Sequence, residues 1–561
     1  MMYTLKVILS LVIAVCAVTC GGGSQSALAL TDHGTVGLYI GSPILAASSL
    51  SSTVYSWAKT WGGNASTAYS KNIVMDGSGN AYVVGEFSGT VDFDPAGSNP
   101  SATIGSNKGT VDAFLSKFDS NGAFQWVRTW GGAPAGTPQG GPDGRDAANG
   151  VAVDGAGNVY VSGLYQNTVD FGAGITYTSN APSGTNNIFV AKFATNGTTQ
   201  WARTWGGTTG GEGYSVAVDK VRGYVYVEGD WSSDSHVNNG QVDFNPGGST
   251  HDWHANHGFY DACLSKFDLN GNFQWANTWG GHGYDDGPGV AVDGAGSVYV
   301  GGMYGSQDIN FDPSGANNTG GMGHGHGTTT NDYIYVNVFL SKFDSIGNFQ
   351  WVRTWGGLGT EDAGEVVAVD GANNVYVGGR FACTNCNFNA GPTGPPVMLS
   401  SNGDRDAFIS KYDSSGNFQW ARTWGGTGWD SVGSLAVDRA NNVFTTGFYL
   451  NTVDFDPTGG GDVHVSKGGR DVFLNQFDSA GTLHWAKTWG GSGADLGLNV
   501  AVNGTGNLSV VGSFSSPGAV DFDPGSGVDN HTAIGAQDAF FSRFRAQTLS
   551  GSAYLPLIKS P

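Results

Sequence analysis

The sequence is poor in charged residues and in the patterns that mark helices. Charged side chains make up only 13% of the 561 residues, and no long segment repeats apolar residues at helical spacing. Aromatic residues reach 12%, which argues against disorder, because disordered chains combine few aromatics with high charge. The 93 glycines suit many short strands joined by tight turns, so the composition disfavours helical bundles and favours an all-β fold.

Basic residues are scarce as well. The chain has 25 lysines and arginines against 46 aspartates and glutamates, which gives a formal net charge of −21. A surface of this sign repels nucleic acid and anionic lipid headgroups, so neither is predicted as a partner. A protein, a glycan or a cation stays open as the partner. The alternative is that the charge only keeps an exported protein soluble.

Motifs of well-known enzyme classes are missing. The sequence has no Gly-x-Ser-x-Gly elbow, no P-loop, no His-Glu-x-x-His pair and no dinucleotide-binding fingerprint. Carboxylates are numerous, but no pair stands out as a glycosidase pair would. The sequence therefore predicts no catalytic residue.

The N-terminal residues do not fit a folded domain. One lysine precedes an apolar run from Val7 to Val18, which is too short for a stable anchor and is typical of an export signal. The run closes at Cys20, followed by Gly-Gly-Gly-Ser, and resembles the lipobox of bacterial lipoproteins. The resemblance implies a signal peptide over 1–20, a lipidated Cys20 and a flexible tether over 21–53. An ordinary secretory signal is the alternative. We expect an exported protein, at the cell surface, in the outer membrane or secreted, with the lipid anchor as its only membrane contact.

Cysteine is rare, with five in the chain and two of them in the signal. Cys263 falls in a predicted strand, where we expect a small buried apolar side chain. Cys383 and Cys386 are spaced for a local disulfide in an oxidising compartment. A zinc site would need a second ligand pair, and none is close in the sequence.

A stretch with two tryptophans, typified by Phe-Gln-Trp-Ala-Arg-Thr-Trp at 418–424, recurs seven times at intervals of 65–76 residues. Each unit holds four strand-like runs in constant order, with Gly, Asp and Asn in the connections that suit tight hairpins. Four antiparallel strands repeated seven times without helices predict a seven-bladed β-propeller. The tryptophan pairs are Trp57 and Trp61, Trp126 and Trp130, Trp201 and Trp205, Trp275 and Trp279, Trp351 and Trp355, Trp420 and Trp424, and Trp485 and Trp489.

The first copy of this stretch stands alone, ahead of any complete unit, and the last unit lacks its own Trp strand. We therefore predict that the N-terminal strand, Val54 to Trp61, completes the last blade. Such closure removes the bare strand edges of an open array. The propeller is expected over 54–545, and the tail over 546–561 has no predicted role.

The repeated units resemble a known bacterial family. Runs such as Val-Ala-Val-Asp-Gly-Ala-Gly-Asn-Val-Tyr-Val and Ala-Phe-Leu-Ser-Lys-Phe-Asp look like the seven-bladed propeller repeat called the SBBP repeat. The resemblance covers about 54–545 and implies the propeller fold and a cell-surface or secreted setting. It brings no catalytic motif, so it implies no active-site residue.

The repeated tryptophans have two interpretations. Trp420, Arg422 and Trp424 share one face of their strand, so the guanidinium can lie over an indole ring. Because the pair recurs in every unit, we interpret it as packing between blades. Sugar binding is the alternative, and it would use aromatic residues on loops, such as Trp231, Trp253 and Trp429.

Acidic residues recur in the connections of one predicted face. In a four-stranded blade, the connection from fourth to first strand emerges on the same face as that from second to third. The second-to-third connections carry Val-Asp-Phe-Asp-Pro or a variant, and such carboxylates could hold Ca²⁺, which prefers oxygen ligands. The alternative is that each acid caps its own loop by accepting backbone N–H bonds. The candidates after the Trp-Gly-Gly stretches are Asp146, Glu212, Asp286, Glu361 or Asp362, Asp430 and Asp495.

Histidines cluster in two insertions. His251, His254 and His257 follow one another at three-residue intervals, and the next unit carries His324 and His326. Imidazoles from neighbouring blades could bind a transition metal. The alternative is a polar surface loop without a ligand.

These features predict a non-catalytic scaffold, most simply a monomer, that presents loops on an acidic face to a protein, glycan or cation. The alternative is a secreted hydrolase or lyase acting on polysaccharide, with carboxylates near the central channel. No cofactor is predicted apart from Ca²⁺ on that face.

Overall fold

The computed structural model describes residues 53–546, except 65, 95–101, 107–110, 133–143, 180–184, 207–209, 233–240, 246, 307, 316–334, 358–360, 390, 392, 457–459 and 516. The predicted signal, Cys20, most of the tether, most of the tail, His324 and His326 lie outside these residues. The described residues form no helix long and apolar enough to cross a membrane.

All regular elements of the described residues are strands, most of them seven to nine residues long. In chain order they are β1 (Thr53–Trp61), β2 (Thr67–Met75), β3 (Ala81–Ser88), β4 (Thr90–Asp92), β5 (Thr103–Gly105), β6 (Asp112–Phe118), β7 (Phe124–Trp130), β8 (Ala147–Val153), β9 (Val159–Gln166), β10 (Thr168–Asp170), β11 (Thr176–Thr178), β12 (Asn186–Phe193), β13 (Thr199–Trp205), β14 (Gly210–Asp219), β15 (Tyr224–Ser232), β16 (Gln241–Asp243), β17 (Trp253–Ala255), β18 (Asp261–Asp268), β19 (Phe273–Trp279), β20 (Asp285–Val292), β21 (Val298–Tyr304), β22 (Asn337–Phe343), β23 (Phe349–Trp355), β24 (Ala363–Val369), β25 (Val375–Phe381), β26 (Cys386–Asn387), β27 (Met398–Leu399), β28 (Asp406–Tyr412), β29 (Phe418–Trp424), β30 (Ser431–Val437), β31 (Val443–Tyr449), β32 (Thr452–Asp454), β33 (Val463–Val465), β34 (Asp471–Phe477), β35 (Leu483–Trp489), β36 (Asp495–Val502), β37 (Leu508–Phe514), β38 (Val520–Asp521), β39 (Asn530–His531) and β40 (Asp538–Ala546).

Twenty-eight of these strands build seven four-stranded antiparallel blades, and the other twelve pair into six two-stranded sheets. Blade 1 is β2-β3-β6-β7, blade 2 is β8-β9-β12-β13, blade 3 is β14-β15-β18-β19 and blade 4 is β20-β21-β22-β23. Blade 5 is β24-β25-β28-β29, blade 6 is β30-β31-β34-β35 and blade 7 is β36-β37-β40-β1. Each first strand contacts the first strands of both neighbouring blades, including β2 with β36, so the first strands surround a central axis. The predicted seven-bladed β-propeller is confirmed.

The N-terminal strand closes the ring. β1 pairs antiparallel with β40, from Thr53 opposite Ala546 to Trp61 opposite Ala539. The indole of Trp57 packs edge-on against Phe541, with ring centroids 4.9 Å apart. The prediction that β1 supplies the outer strand of the last blade is therefore confirmed.

Aspartate-initiated turns join the strands within a blade. In blade 2, Asp154 Oδ1 accepts hydrogen bonds from the backbone N–H groups of Ala156 and Asn158, both at 2.9 Å. Gly157 adopts a φ of 82°, which a residue with a Cβ rarely takes. These bonds replace the strand ladder where the chain reverses, so this aspartate is a turn residue.

The hydrophobic core lies between blades. Each apolar cluster joins two adjacent blades, as in the group that combines Leu115 and Trp130 of blade 1 with Phe189 of blade 2. The second tryptophan of every repeat is buried, whereas the first is half-buried. In blade 5, Trp424 lies 5.5 Å from Phe477 of blade 6. The tryptophans therefore face the neighbouring blade.

The arginine between the tryptophans ties adjacent blades together. Arg422 lies 5.4 Å from the ring centre of Trp420, and its Nε donates to the Gly481 carbonyl of blade 6 at 2.7 Å. Corresponding bonds to the next blade run from Arg128, Arg203, Asn277 and Arg353 to Gly197, Gly271, Gly347 and Gly416. The repeated stretch thus supplies both apolar packing and a polar clamp at each of these boundaries.

Candidate binding site at the mouth of the channel

The innermost strand of every blade contains a β-bulge. The unpaired residue of the bulge stands at the same place in each blade, but its amino-acid type differs in almost every blade. Bulges re-aim side chains, and these residues lie on the strands that surround the axis, so we assign them to the lining of the central channel. They are Lys71, Asn149, Tyr214, Gly287 with Pro288, Glu365, Gly433 and Leu498.

A glycine in the second strand makes room for each bulge. A Cβ built on Gly379 would lie 2.0 Å from the Ala363 carbonyl oxygen, and one on Gly85 would lie 1.8 Å from that of Tyr69. No side chain fits there, so the frame requires glycine at this position. The seven glycines are Gly85, Gly163, Gly229, Gly302, Gly379, Gly447 and Gly512. The frame therefore repeats while the residues it presents vary.

Bridges between loops define one face of the ring. The residue before a third strand pairs with the loop that leads into the next blade, as in Arg405 with Trp429 and Tyr260 with Tyr284. This places the two kinds of connection side by side, as the sequence predicts. We call the channel mouth on this face the rim, which comprises the bulge residues, these bridging residues and the side chains that contact either.

Charged residues of blades 1 to 3 form one ladder at the rim. Glu86 pairs with Lys71 at 3.2 Å and with Arg145 at 3.0 Å. Arg145 continues to Glu212 at 3.4 Å, and Asn186 donates to the same carboxylate at 2.8 Å. Glu212, predicted as a calcium ligand, is therefore held by an arginine and an amide.

Three further acids are buried where blades 3 and 4 meet. Glu228, Asp230 and Asp286 are at most 3% exposed. Burial and the neighbouring Asp286 and Asp230 raise the pKa of Glu228 well above its ordinary value. Burial and Glu212 raise the pKa of Asp286 to about 7. This cluster therefore favours protonated carboxyl groups.

The rim of blades 5 and 6 is rich in arginine. Glu361 accepts from Arg380 at 3.1 Å and also pairs with Arg405, while Arg380 also pairs with Glu365. Trp429 carries the guanidinium groups of Arg405 and Arg470 at 4.5 and 4.2 Å from its ring centre, and that of Arg380 at 5.8 Å. Three arginines thus meet at one tryptophan in an otherwise acidic protein. These arginines are not among the residues predicted from the sequence.

An aromatic group occupies the rim between blades 3 and 4. Tyr260 lies 5.0 Å from Phe259 and 5.5 Å from Tyr284, measured between ring centres. Phe259 is 49% exposed. This group and the arginines lie on the same face, because Tyr260 with Tyr284 and Arg405 with Trp429 are equivalent bridges.

Most acids predicted as calcium ligands are loop caps instead. Asp430 accepts from the Gly426 and Leu450 backbone N–H groups, both at 2.8 Å. Asp146, Asp362 and Asp495 bind corresponding backbone groups. Burial nevertheless raises the pKa of Asp430 to about 6. The structure does not bring these acids together. Each caps its own loop by accepting backbone N–H bonds, which is the alternative given above.

In blade 4 the loop-capping acid is the residue before Asp286, the candidate predicted from the sequence. Asp285, not Asp286, accepts from the Gly281 and Gly305 backbone N–H groups, at 2.8 and 3.2 Å. Asp286 instead joins the buried cluster with Glu228. A dipeptide of two aspartates gives no sequence signal for which one turns inwards.

The three predicted histidine ligands point to separate partners. His251 pairs with Asp243 at 2.6 Å and His257 with Asp261 at 2.9 Å. His254 contacts Thr278 at 3.0 Å and Asp252 at 3.3 Å. His464 and His531 make the same two kinds of contact, so His254 belongs to an Asp-x-His hairpin motif that occurs three times among the described residues. The described histidines form no shared metal site.

Cys383 and Cys386 form a disulfide with Cα atoms 5.9 Å apart, as the spacing predicts, and Cys263 is free and buried. Among the described residues, the single group of three metal-ligating side chains is Cys383, Cys386 and Asp362. The disulfide uses both sulfur atoms and Asp362 caps its loop, so this group is structural.

The loop tryptophans differ from expectation in one case. Trp231 is fully buried in a strand, so it offers no surface to a sugar. Trp253 is 48% exposed. Trp429 lies at the rim, and the guanidinium groups of Arg405 and Arg470 cover its ring.

Comparisons with known proteins support the fold and leave the family open. No family model matches the chain. An uncharacterized WD repeat-containing protein of Acanthamoeba polyphaga mimivirus is 26% identical over 208 residues, covering 34% of this chain and 15% of the relative. The regulatory protein FlaEY of Caulobacter vibrioides is 25% identical over 456 residues, covering 78% of this chain and 42% of the relative. The chain thus spans less than half the length of both relatives.

Solved structures give weaker matches. A protein of unknown function from Dyadobacter fermentans is 9% identical with a TM-score of 0.34, covering 88% of this chain and 99% of its own. A puromycin hydrolase is 10% identical with a TM-score of 0.35, covering 84% and 53%. An exotype rhamnogalacturonan lyase is 11% identical with a TM-score of 0.25, covering 87% and 91%. Scores this low say nothing about function.

Proposed function

We propose that this propeller is a non-catalytic binding protein whose ligand site is the rim. One observation carries the proposal: the innermost strands present a different bulge residue in nearly every blade, from Lys71 to Leu498, on a frame that otherwise repeats. Residues needed only for packing would repeat with the frame. Variable side chains on rigid strands suit recognition, because the closed sheets fix their positions before a ligand arrives.

The geometry supports binding better than polysaccharide hydrolysis or cleavage by a lyase. A general acid needs a raised pKa and access to substrate. Among the described residues, the acids with raised pKa values, such as Glu228 and Asp286, are at most 3% exposed. Release of reducing ends from a broad polysaccharide panel would contradict this choice.

The proposal is tested by screening arrays of glycans and of peptides with the full-length protein. Any ligand found is then titrated against Phe259→Ser and Arg470→Gln, which change the rim. Val221→Ser, at an 80% exposed residue in a turn of the opposite face, is the control. We expect at least one rim variant to weaken binding and the control to bind like the wild type. A ligand unaffected by both rim variants would place the site elsewhere.

We also propose export, with lipidation at Cys20. The support is the sequence pattern together with the Cys383–Cys386 disulfide, because disulfides persist mainly in oxidising compartments. Labelling with a fatty-acid analogue should mark the wild type but not Cys20→Ala. Equal labelling of both would refute lipidation at this residue.

A further inference from the structure

The arginine group of blades 5 and 6 contains one positive charge that has no ion-pair partner among the described residues. Arg380 and Arg405 pair with Glu361, and Arg380 also pairs with Glu365. Arg470 forms no ion pair and no side-chain hydrogen bond with another described residue, and its guanidinium stacks on Trp429 and on Phe448 at 4.2 and 4.6 Å. Its N–H groups are therefore held in place by two rings while their hydrogen-bonding capacity stays unused.

We propose that Arg470, with Arg405 beside it, binds the carboxylate of an acidic saccharide at the rim; this rests on the proposed function and names its ligand class. The guanidinium fork matches a carboxylate with two parallel hydrogen bonds. Arg405 already pairs with the carboxylate of Glu361, so the same guanidinium group binds a carboxylate at this part of the rim. Stacking on Trp429 fixes both guanidinium planes before the ligand binds.

The charges at this corner favour an anion. Burial lowers the pKa of Arg470, and the nearby Arg405 lowers it further. A ligand carboxylate would relieve the repulsion between the two arginines, because an opposite charge at hydrogen-bond distance stabilises both.

The aromatic group on the same face, between blades 3 and 4, suits the flat face of a saccharide. Phe259, Tyr260 and Tyr284 offer ring surface of the kind on which the apolar face of a sugar packs, and Phe259 is 49% exposed. A rigid sugar chain carries both a flat face and a carboxylate. The same face of the ring holds a candidate partner for each, the rings between blades 3 and 4 and the arginines between blades 5 and 6.

The test is isothermal titration calorimetry of the full-length protein with a glucuronic acid trisaccharide and with a neutral glucose trisaccharide. Arg470→Gln removes the unpaired charge and leaves Glu361 with both of its arginines. Lys467→Gln is the matched control, because it removes the same charge from an exposed residue three positions away. Thermal melting of both variants verifies that they fold.

We expect the acidic trisaccharide to bind the wild type and the neutral one to bind far less tightly. Arg470→Gln should weaken binding by about tenfold or more, as loss of a charge-assisted pair does, while Lys467→Gln changes it less than about twofold. Equal effects of the two substitutions, equal binding of the neutral sugar, or tighter binding of a tri-glutamate peptide or of inorganic phosphate would overturn the assignment. If another ligand depends on Phe259 but not on Arg470, the rim remains a binding site and only the acidic saccharide is refuted.

Discussion

Arg422 shows how a single repeated residue serves the whole ring. Its Nε and Nη2 reach the Gly481 and Ala480 carbonyls of the next blade at 2.7 and 3.3 Å, while its plane covers Trp420. The side chain thus satisfies backbone carbonyls of a turn and covers an indole in one contact.

Replacing Arg422 with alanine should lower the free energy of unfolding by about 1–3 kcal/mol, because two inter-blade hydrogen bonds from a charged donor are lost. Chemical denaturation followed by tryptophan fluorescence measures the change. Arg439→Ala, at an exposed turn residue of blade 6, is the control and should stay within about 0.5 kcal/mol. Equal losses would show that Arg422 is not a clamp.

The buried acids between blades 3 and 4 predict how stability depends on pH. The pKa of Glu228 and that of Asp286 are raised in the folded protein, the latter to about 7. Below about pH 4 both groups are protonated in either state, so they cost nothing. Between about pH 4 and 7 the unfolded state has lost these protons while the folded state still holds them, so stability falls as the pH rises through this range.

Glu228→Gln should therefore stabilise the protein by about 1–3 kcal/mol at pH 8 and flatten the decline of stability between pH 4 and 8. Denaturant titrations across this range measure it. Glu86→Gln should act in the opposite direction, since it removes the partner of Lys71 and Arg145. A Glu228→Gln variant that is less stable at pH 8 would mean that this carboxyl is ionised and held by a cation.

At the scale of elements, the single strand β1 is needed to complete blade 7 and close the ring. It is the outer strand of blade 7 and covers β40, whose edge would otherwise be open. Its Tyr55 hydroxyl and Ala58 N–H also bind Asp529, at 2.5 and 3.1 Å.

Deleting 53–61 together with the residues before them should lower the melting temperature and broaden unfolding, because blade 7 then exposes a bare edge and loses packing of Trp57 on Phe541. A truncation that removes only 1–52 is the matched control. Differential scanning calorimetry compares the two. Identical melting would show that β1 is dispensable for closure.

At the scale of the whole molecule, the acidic face is a surface of loop caps. The aspartates on it, such as Asp430 and Asp495, use their oxygens on backbone N–H groups. We therefore expect millimolar calcium to raise the melting temperature no more than sodium chloride of equal ionic strength. A larger, saturable rise would reveal a cation site, because a ligand that binds only the native state stabilises it by mass action.

The propeller architecture could be predicted from the sequence because the same four-strand pattern recurs along the chain. Seven first strands and seven Trp strands, offset by one, leave only a ring that closes through its first strand. The tryptophans, the turn aspartates and the Cys383–Cys386 pair follow from local spacing in the same way.

The rim could not be read in this way. Arg380, Arg405 and Arg470 meet at Trp429 only after two blades and their loops fold together, and no local spacing encodes that meeting. Asp285 and Asp286 differ only in which one turns inwards. The usable signal was departure from the repeat, because Lys71, Tyr214 and Glu365 stand where a packing residue would recur.

The pairing of Thr53 with Ala546 has a mechanical consequence. The chain enters and leaves the ring at the same end of one antiparallel strand pair. Tension between the two termini would therefore unzip β1 from β40 one hydrogen bond after another, instead of shearing all of them together. A propeller fastened in this way opens at a modest force, and it does so at blade 7 before any other blade bears load.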